Sequence, residues 1–234
     1  MFLGDLLKSI EKKYQKIPVK GISFDSRKVK TGDIFFAISG DIDNGNLYIN
    51  EAILNGAGGI VSENKESLRV SDKNVQTFLV KNSRNSYAHA CVEFFSRPSS
   101  DLQVCGITGT NGKTSVAHLL KEIWKKQNSG LIGTIETNFA GKKIPSSLTT
   151  PDSYQLNKFL KEMTRKKVKR VFMMFLRRSF TSLSGNKPLR SVSASGNNSF
   201  KSIVFLSKSY NSFSQSTSFA NKPLSKTIII IINT

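Results

Sequence analysis

One stretch constrains the fold more than any other: residues 104–115 read V-C-G-I-T-G-T-N-G-K-T-S. An apolar run ending at Ile107 leads into glycines and short polar residues, and a helical pattern follows from Val116 to Trp124. Glycines let backbone N–H groups close around phosphate oxygens, and the start of a helix adds unpaired N–H groups. This order of strand, glycine-rich loop and helix predicts a loop that holds a nucleoside triphosphate.

The loop ends in a lysine and a hydroxyl residue, the two side chains that triphosphate binding needs. Lys113 is expected to lie on the β- and γ-phosphates as the catalytic cation, and Thr114 to offer its hydroxyl to Mg²⁺. Five residues separate Gly106 from Gly112, where the common phosphate loop has four. A glycine-rich turn without a ligand is the alternative, and the Lys-Thr pair, the apolar run and the helix argue against it.

The chain length of 234 residues allows one large or two small domains. Short apolar runs alternate with helical spacings up to about residue 174, which predicts an α/β fold. We expect a small N-terminal α/β domain at 1–99. At 100–174 we expect the first part of a phosphate-loop-type central domain with a mostly parallel sheet.

Three helix starts can be predicted from local residue patterns. Apolar residues from Leu3 to Tyr14 have helical spacing and predict a helix over 2–16. Asn82 or Ser83 is expected to cap a helix that runs through Phe95. A threonine cap with proline at the first position is expected for the helix that follows 149–152.

Charge is distributed unevenly along the chain. The formal net charge is +19, and residues 163–234 contain 13 Lys and Arg but no acidic residue. Residues 175–234 include 15 serines and show no sustained period of 2 or 3.6. Such a composition does not predict a packed core, so we expect an irregular, disordered basic tail over 175–234.

The contexts of the two cysteines and the lack of long apolar runs predict a location in the cytoplasm. Cys91 and Cys105 lie in apolar contexts, which favours buried thiols in a reducing environment over a disulfide or a metal site. The first residues show no basic segment followed by an apolar core, and no apolar run approaches the about 20 residues that span a bilayer. We therefore expect a cytoplasmic monomer without membrane contact.

Several motifs between residue 21 and about residue 173 resemble the Mur ligases, which add amino acids to the UDP-MurNAc peptide of bacterial cell-wall precursors. The loop is similar to the family's Gly-x-Thr-Gly-Thr-Asn-Gly-Lys-Thr pattern, so its unusual glycine spacing is the family's own. Asp25-Ser26-Arg27 and the glycines after it look like the UDP-binding domain, which the ligase adding D-Ala-D-Ala shares. The Gly-Thr-Asn-Gly loop and Thr149-Thr150-Pro151-Asp152 favour the branch that adds the third residue, diaminopimelate or lysine.

The resemblance implies ligands for particular positions. The residues that would hold ATP are Thr110, Asn111, Gly112, Lys113, Thr114 and Ser115. The residues that would bind UDP-MurNAc-L-Ala-D-Glu are Phe24 and Ser26 at the uridine, Asp41, Ile42 and Asp43 near the pyrophosphate, and Thr149 and Thr150 at the MurNAc-peptide. From the residues alone, Asp25 and Ser26 are a turn cap and Thr149 is a helix cap.

The implied reaction is the formation of an acyl phosphate. ATP phosphorylates the D-Glu carboxylate, and the amine of the third residue then attacks the activated carbonyl. Because the protein must bring two polyanions together, Lys113 and Mg²⁺ would offset their charge.

The resemblance ends after Met173. In the family this strand continues Met-Glu-Val-Ser-Ser-His, whose glutamate binds Mg²⁺, but here it continues Met174-Phe175-Leu176-Arg177. Nothing later resembles the family's modified lysine or its C-terminal domain. With codons ATG TTT CTT CGN, one G added between the two methionine codons gives Met-Asp-Val-Ser-Ser. We hypothesise a single-base deletion here, an out-of-frame tail and an inactive ligase fragment.

Two other classes of protein fit parts of the sequence. The basic tail suggests a nucleic-acid-binding protein, but its basic residues are isolated and no recognised binding module is present, so we expect no nucleic-acid partner. A nucleotide- or UDP-sugar-binding module without catalysis is the second alternative. It would bind UDP-MurNAc-dipeptide without hydrolysing ATP.

The deletion hypothesis predicts the outcome of sequencing the gene across the codons for 171–177 and at least a kilobase beyond. We expect the second reading frame to continue into further Mur motifs, because the tail has no composition of its own that indicates a domain. An uninterrupted single frame, with no such motifs in the other frames, would contradict the hypothesis.

Overall fold

The computed structural model describes residues 1–7, 10–40, 43–70, 72, 74–109, 111–125, 128–146 and 151–174 in full, and the backbone of 192–194, 203–207 and 227–232. The chain divides into two compact units, Met1–Arg97 and Pro98–Thr234. The boundary expected between residues 99 and 100 lies two residues after this observed division of the chain. Within the described residues, none of the helices has both the length and the apolar character needed to cross a membrane.

The first unit is built on a four-stranded sheet in the order β1-β2-β3-β4, with every neighbouring pair parallel. An α-helix connects β2 to β3, and short 3-10 helices lie in the connections from β1 to β2 and from β3 to β4. The elements are α1 Leu3–Leu6, β1 Gly21–Ser23, β2 Asp33–Ala37, α2 Ile49–Leu54, β3 Gly59–Ser62, β4 Gln76–Leu79 and α3 Ser83–Phe94.

Strand β2 is buried along all five of its residues, as its continuous apolar sequence predicts. On one face Phe35 and Ala37 pack with α2, whose Ile49 and Ala52 belong to the same buried cluster. On the other face the Phe36 ring lies 5.3 Å from the ring of Tyr87 in α3. The core of this unit therefore lies on both sides of its central strands.

The predicted N-terminal helix over 2–16 is wrong for most of its length. Only Leu3–Leu6 is α-helical, and Lys12–Tyr14 forms a separate 3-10 turn. The backbone N–H groups of Leu3 and Gly4 donate to the carbonyls of Ile17 and Gln15, at 2.9 and 3.1 Å. These backbone bonds bring Gln15 and Ile17 alongside the start of the chain, whereas a continuous helix over 2–16 would hold the two ends about 20 Å apart. Leu3, Leu6 and Leu7 of the pattern are still buried.

The second unit has a mixed sheet in the order β10-β11-β12-β5-β9-β6-β7-β8, in which the central strands from β12 to β6 are parallel and the outer pairs are antiparallel. β5 pairs in parallel with both β9 and β12, and β7-β8 is an antiparallel hairpin. The elements are β5 Gln103–Gly109, α4 Lys113–Ile123, β6 Ser129–Ile132, β7 Glu136–Phe139, β8 Lys142–Pro145, α5 Ser153–Arg165, β9 Arg170–Met174, β10 Val192–Ala194, β11 Ile203–Ser207 and β12 Thr227–Ile232.

Alternate residues of β9 fill two cores. Val171 and Met173 belong to the cluster that contains the buried residues of α5, and Phe172 and Met174 to the cluster that contains Ala117 of α4. Because successive side chains of a strand point to opposite faces, α4 and α5 cover opposite faces of this sheet. The alternating α/β fold with mostly parallel sheets is confirmed.

The helix caps agree with the sequence in one case and differ in the other. Asn82 caps α3 as predicted, with its Oδ1 accepting the N–H of Asn85 at 2.8 Å. The predicted threonine cap of α5 is wrong, because Asp152 takes that role and its Oδ1 accepts the N–H of Gln155 at 2.9 Å. A carboxylate is at least as good a cap as a hydroxyl and also favours the positive end of the helix.

Three backbone strands lie in the stretch that the sequence analysis treats as irregular. β10, β11 and β12 form an antiparallel set, and β12 adds to the edge of β5. β12 contains the isoleucine run, and β-branched residues favour strands wherever an edge offers unpaired N–H and C=O groups.

The core of the second unit can be tested at Met163. Its side chain is fully buried over Gly130, where an added Cβ would lie 2.9 Å from the Met163 sulfur. We expect Met163→Ala to lower the free energy of unfolding by about 2–5 kcal/mol, because it leaves a cavity. Urea unfolding can be followed by the fluorescence of Trp124, the single tryptophan, whose ring packs 5.9 Å from that of Phe172.

Lys158→Ala is the matched control, since Lys158 is an exposed residue of the same helix. It should shift the transition by no more than about 0.5 kcal/mol. Equal stability of the two variants would contradict the assignment of Met163 to the core.

Candidate functional site

The glycine-rich loop lies between the end of β5 and the start of α4. Gly112 is the N-cap of α4 and has φ +74°, in the left-handed region that glycine adopts without strain. An added Cβ there would meet nothing within 4 Å, so the backbone conformation rather than crowding requires glycine. The open space above Gly112 leaves room for a ligand against the backbone.

Lys113 is the first residue of α4, and its side chain folds back over the loop. Its Nζ donates to the carbonyl oxygen of Gly109 at 2.7 Å. The ammonium therefore lies across the loop, on the side where the first turn of the helix presents its backbone N–H groups. A positive charge and a helix start at one place favour an anion.

The remaining residues expected to contact ATP lie close to Lys113 in the sequence. Thr114 and Ser115 follow Lys113 in the first turn of α4, and Asn111 and Gly112 are exposed on the loop. Among the described residues, no side chain caps this helix. Thr110 lies outside the described residues, so the structure brings together five of the six residues expected to contact ATP.

The residues expected to bind Mg²⁺ do not make a complete donor set. Thr114 offers a hydroxyl, but the described part of the chain has no group of three or more His, Cys, Asp or Glu that could hold a metal ion. Mg²⁺ is usually held by carboxylate and phosphate oxygens. The described residues therefore do not fit a Mg²⁺ site by themselves.

One buried hydroxyl beside the loop is unsatisfied. Thr108 is 4% exposed, and its Oγ1 has no hydrogen-bond partner among the described residues. The β5–β9 pairing ends at Ile107 and Met174, so Thr108 stands one residue beyond the last described pair. Buried hydroxyls normally have a partner, so Thr108 is an exception among the described residues.

In the first unit, Phe24 and Ser26 lie just beyond the carboxyl end of β1, but they differ in exposure. Phe24 is 40% exposed and its ring packs 5.3 Å from that of Tyr87. Ser26 is 6% exposed, and its hydroxyl donates to Oε2 of Glu51 at 2.6 Å. Phe24 is available to a ligand, whereas Ser26 ties its turn to α2.

Asp25 has the role of a turn cap. Its Oδ1 accepts the backbone N–H of Arg27 at 3.2 Å, and its carboxylate also pairs with the side chains of Arg27 and Lys28. The hydrogen bonds from Arg27, more than that from Lys28, lower the pKa of the Asp25 carboxyl to about 2, from an ordinary 3.8.

The loop after β2 was expected to lie near a pyrophosphate. Asp41 and Ile42, like Thr149 and Thr150, lie outside the described residues. The Asp43 carboxylate accepts a hydrogen bond from the Tyr48 hydroxyl, and this bond raises the pKa of Tyr48. The Asp43 carboxylate therefore already has a hydrogen-bond donor close in sequence, the Tyr48 hydroxyl.

Sequence reasoning missed two side chains that touch this loop. The amide nitrogen of Asn46 donates to Ser39 Oγ at 3.1 Å, and its oxygen accepts from the Ser62 hydroxyl at 2.6 Å. Arg84 donates from Nη2 to the Ser39 carbonyl at 3.4 Å. No spacing rule could have found them, because their partners are distant in sequence.

The prediction of two buried free thiols is confirmed. Burial raises the pKa of the Cys105 thiol to about 11, so this cysteine is not a nucleophile at neutral pH. The candidate chemistry of the second unit therefore depends on the loop and not on a thiol.

A parallel α/β sheet whose central strand ends in a glycine loop, a lysine and a helix start defines a nucleotide-binding protein of the phosphate-loop class. Residues 107–174 match the family model described as Mur ligase middle domain. This match and the relatives below show that the chain is similar to the Mur ligases, within this segment and over most of the chain.

Two relatives are named UDP-N-acetylmuramoyl-L-alanyl-D-glutamate–2,6-diaminopimelate ligase. The protein of Caldanaerobacter subterraneus subsp. tengcongensis is 39% identical over 178 residues, which are 74% of this chain and 36% of the relative. That of Alkaliphilus oremlandii is 40% identical over 174 residues, 72% of this chain and 35% of the relative. The chain thus spans about a third of the length of these relatives.

A solved structure of a ligase with the same name shares the fold. The match has a TM-score of 0.63 at 21% identity and covers 78% of this chain and 37% of that one. At this level of identity the match supports the architecture of the chain and nothing finer.

The charge state of Asp25 predicts a pH dependence of stability. Because its pKa is lower when folded, the ionised carboxylate stabilises the folded chain above about pH 4, and this contribution disappears as the pH falls through about 2. Asp25→Asn should lower the free energy of unfolding at pH 7 by about 1 kcal/mol or less, since Arg27 and Lys28 are exposed.

The measurement compares urea unfolding of the two chains at pH 7, 4 and 2.5. Glu66→Gln removes an ion pair in which both partners are exposed, and it should have the smaller effect at pH 7. A difference between Asp25→Asn and the unaltered chain that grows toward low pH would refute the assignment.

Proposed function

We propose that this chain supplies the UDP-precursor-binding unit and the first part of the ATP-binding unit of an ATP-dependent, amide-bond-forming ligase. The ligase adds diaminopimelate, or lysine, to UDP-MurNAc-L-Ala-D-Glu. The observation that supports this most is Lys113 at the start of α4, folded over a glycine loop inside the segment that matches the Mur ligase middle domain. The names of the relatives favour diaminopimelate as the added residue.

In this proposal the loop binds the triphosphate of ATP. The first-turn N–H groups of α4 and the Lys113 ammonium lie against the phosphate oxygens, and they offset the charge that repels an approaching carboxylate. Lys113 must leave Gly109 to do so, and exchanges a carbonyl partner for a phosphate oxygen. Mg²⁺, when bound, would reduce the same charge, with the Thr114 hydroxyl as one of its ligands.

The reaction then transfers a phosphoryl group and forms an amide. A D-Glu carboxylate oxygen attacks the γ-phosphorus, and the bond to ADP breaks. The amine nitrogen of the incoming residue attacks the acyl carbon, inorganic phosphate leaves, and the amine loses a proton. The part of this chain is to hold and orient the two anionic substrates.

We further propose that the 234-residue chain binds its ligands without completing this reaction. In the sequence, Phe175 stands where the family has its metal-binding glutamate. Thr108, one residue beyond the last described pair of β5 and β9, lacks a hydrogen-bond partner among the described residues. The proposal includes a cytoplasmic monomer that acts on small molecules, with no nucleic-acid or membrane partner.

Replacing Lys113 tests the nucleotide site. We expect Lys113→Ala to weaken ATP binding about 10- to 100-fold, which corresponds to the loss of one hydrogen bond between charged groups. Isothermal titration calorimetry with ATP and MgCl₂ measures it. Lys125→Ala, at an exposed lysine paired with Glu122, is the control and should bind as the unaltered chain does.

Two results would contradict the proposal. The first is an unaltered chain that does not bind ATP, or a Lys113→Ala variant that binds it equally well. The second concerns the incomplete site: product formed from UDP-MurNAc-L-Ala-D-Glu, ATP and diaminopimelate by the purified chain, detected by chromatography, would show that the chain is active.

A further inference from the structure

Three Asn-Gly pairs occur in the chain, at residues 44–45, 55–56 and 111–112. In such a pair the backbone nitrogen of the glycine can attack the side-chain carbonyl carbon of the asparagine, because no Cβ hinders its approach. The attack needs a glycine N–H that is not held in a hydrogen bond, and space around the two groups. All three asparagines are exposed, so exposure alone does not distinguish the pairs.

The first pair is held in its turn by hydrogen bonds. The N–H of Gly45 donates to the carbonyl of Ile38 at 2.9 Å, and the side-chain oxygen of Asn44 accepts the backbone N–H of Asn46 at 3.1 Å. A Cβ added to Gly45 would lie 2.7 Å from the backbone nitrogen of Ile38. The glycine nitrogen and the asparagine amide of this pair are therefore both engaged, and the space around them is small.

The second pair closes helix α2. Asn55 is the C-cap of the helix, and its Nδ2 donates to the carbonyl of Ser26 at 3.0 Å. The N–H of Gly56 donates to the carbonyl of Ile53 at 2.9 Å, and an added Cβ would lie 2.9 Å from the hydroxyl oxygen of Thr31. The negative end of the helix dipole also disfavours a negative charge on this nitrogen.

The third pair, in the glycine-rich loop before α4, differs in each of these respects. Gly112 is exposed, and an added Cβ would meet nothing within 4 Å. Among the described residues, none accepts a hydrogen bond from the Gly112 N–H, and none bonds to the side chain of Asn111. Gly112 is the N-cap of α4, so its nitrogen lies at the positive end of the helix dipole, which favours a negative charge there.

We propose that Asn111 is a deamidation site. The Gly112 nitrogen loses its proton and forms a bond to Cγ of Asn111. The bond from Cγ to the side-chain nitrogen breaks, and ammonia leaves with that proton. Water then opens the resulting cyclic imide at either of its carbonyls, which leaves aspartate or isoaspartate at position 111. Solvent supplies the water, so the reaction needs no oxidant and no second protein.

The modification would act on the nucleotide site, and this step rests on the proposed function. The new carboxylate repels a triphosphate, and the longer backbone of the isoaspartyl form displaces the N–H groups at the start of α4. A bound triphosphate would accept a hydrogen bond from the Gly112 N–H and so slow the attack on Asn111. The nucleotide would therefore protect the loop that holds it.

Peptide mapping by mass spectrometry of the full chain, incubated at mildly alkaline pH, measures the rate at each pair. We expect Asn111 to deamidate at least about 10-fold faster than Asn44 and Asn55, a ratio that corresponds to the opening of one hydrogen bond. The rate should rise with pH, because the attacking nitrogen must lose its proton. Asn111→Gln is the matched control, since its longer side chain closes an imide ring much more slowly.

Calorimetry with ATP and MgCl₂ compares the unaltered chain with Asn111→Asp, which has the aspartyl product. We expect the variant to bind ATP about 10- to 100-fold more weakly, because a carboxylate lies beside the triphosphate. Asn50→Asp places the same charge at an exposed position of α2 and should bind ATP as the unaltered chain does. ATP present during the incubation should slow deamidation at Asn111 and leave the rates at Asn44 and Asn55 unchanged.

Equal rates at the three pairs, or a faster reaction at Asn44 or Asn55, overturn the inference whether or not ATP binds. Circular dichroism establishes that the Asn111→Asp variant is folded, and the deamidated chain itself replaces it if it is not. If ATP binds but neither slows the reaction at Asn111 nor loses affinity for the modified chain, the link to the nucleotide site is wrong. If the unaltered chain does not bind ATP, the proposed function is wrong, and the mapping alone decides the deamidation site.

Discussion

The pairing of β5 with its two parallel neighbours is the constraint on which the candidate nucleotide site depends. β5 lies between β9 and β12, and its last residues lead directly into the loop. Ile107 is fully buried in a cluster that also contains Ala117 of α4. Because the strand and the helix share one core, the start of α4 is held at the carboxyl end of the strand. The loop between them has little freedom except at its glycines.

The first unit presents its polar groups in a similar place, beyond the carboxyl ends of parallel strands. There the loops are tied to one another by side chains: Asn46 joins the loop after β2 to the end of β3, and Ser26 joins the turn after β1 to α2. Phe24, Arg27, Tyr48 and Arg84 are exposed beside these bonded loops. Ligands of open parallel sheets commonly bind at this edge.

Much of the architecture could be predicted from the sequence, because its signals are local. The glycine loop before an amphipathic helix, the apolar run Ile34–Ala37 of β2 and the Asn82 cap are each visible within a few residues. The predicted helix over 2–16 was wrong because residues outside the local pattern form backbone hydrogen bonds with it. The pattern over 2–16 is helical in its apolar spacing, but backbone bonds from Leu3 and Gly4 to Ile17 and Gln15 fold the two ends of the segment together, which a continuous helix does not allow. Tertiary hydrogen bonds outweigh a weak local propensity.

The sequence by itself determined the class of the chain and the residues of its phosphate loop, since the chemistry of phosphate binding requires glycine, lysine and hydroxyl at short spacing. It also determined where the family pattern stops, after Met173. Only the tertiary structure decided which polar side chains are engaged and which are available. Ser26 is joined to Glu51, which is 25 residues away, and Arg84 is joined to the carbonyl of Ser39, which is 45 residues away. Such pairings depend on distances between residues that are far apart in the chain, and no local pattern records them.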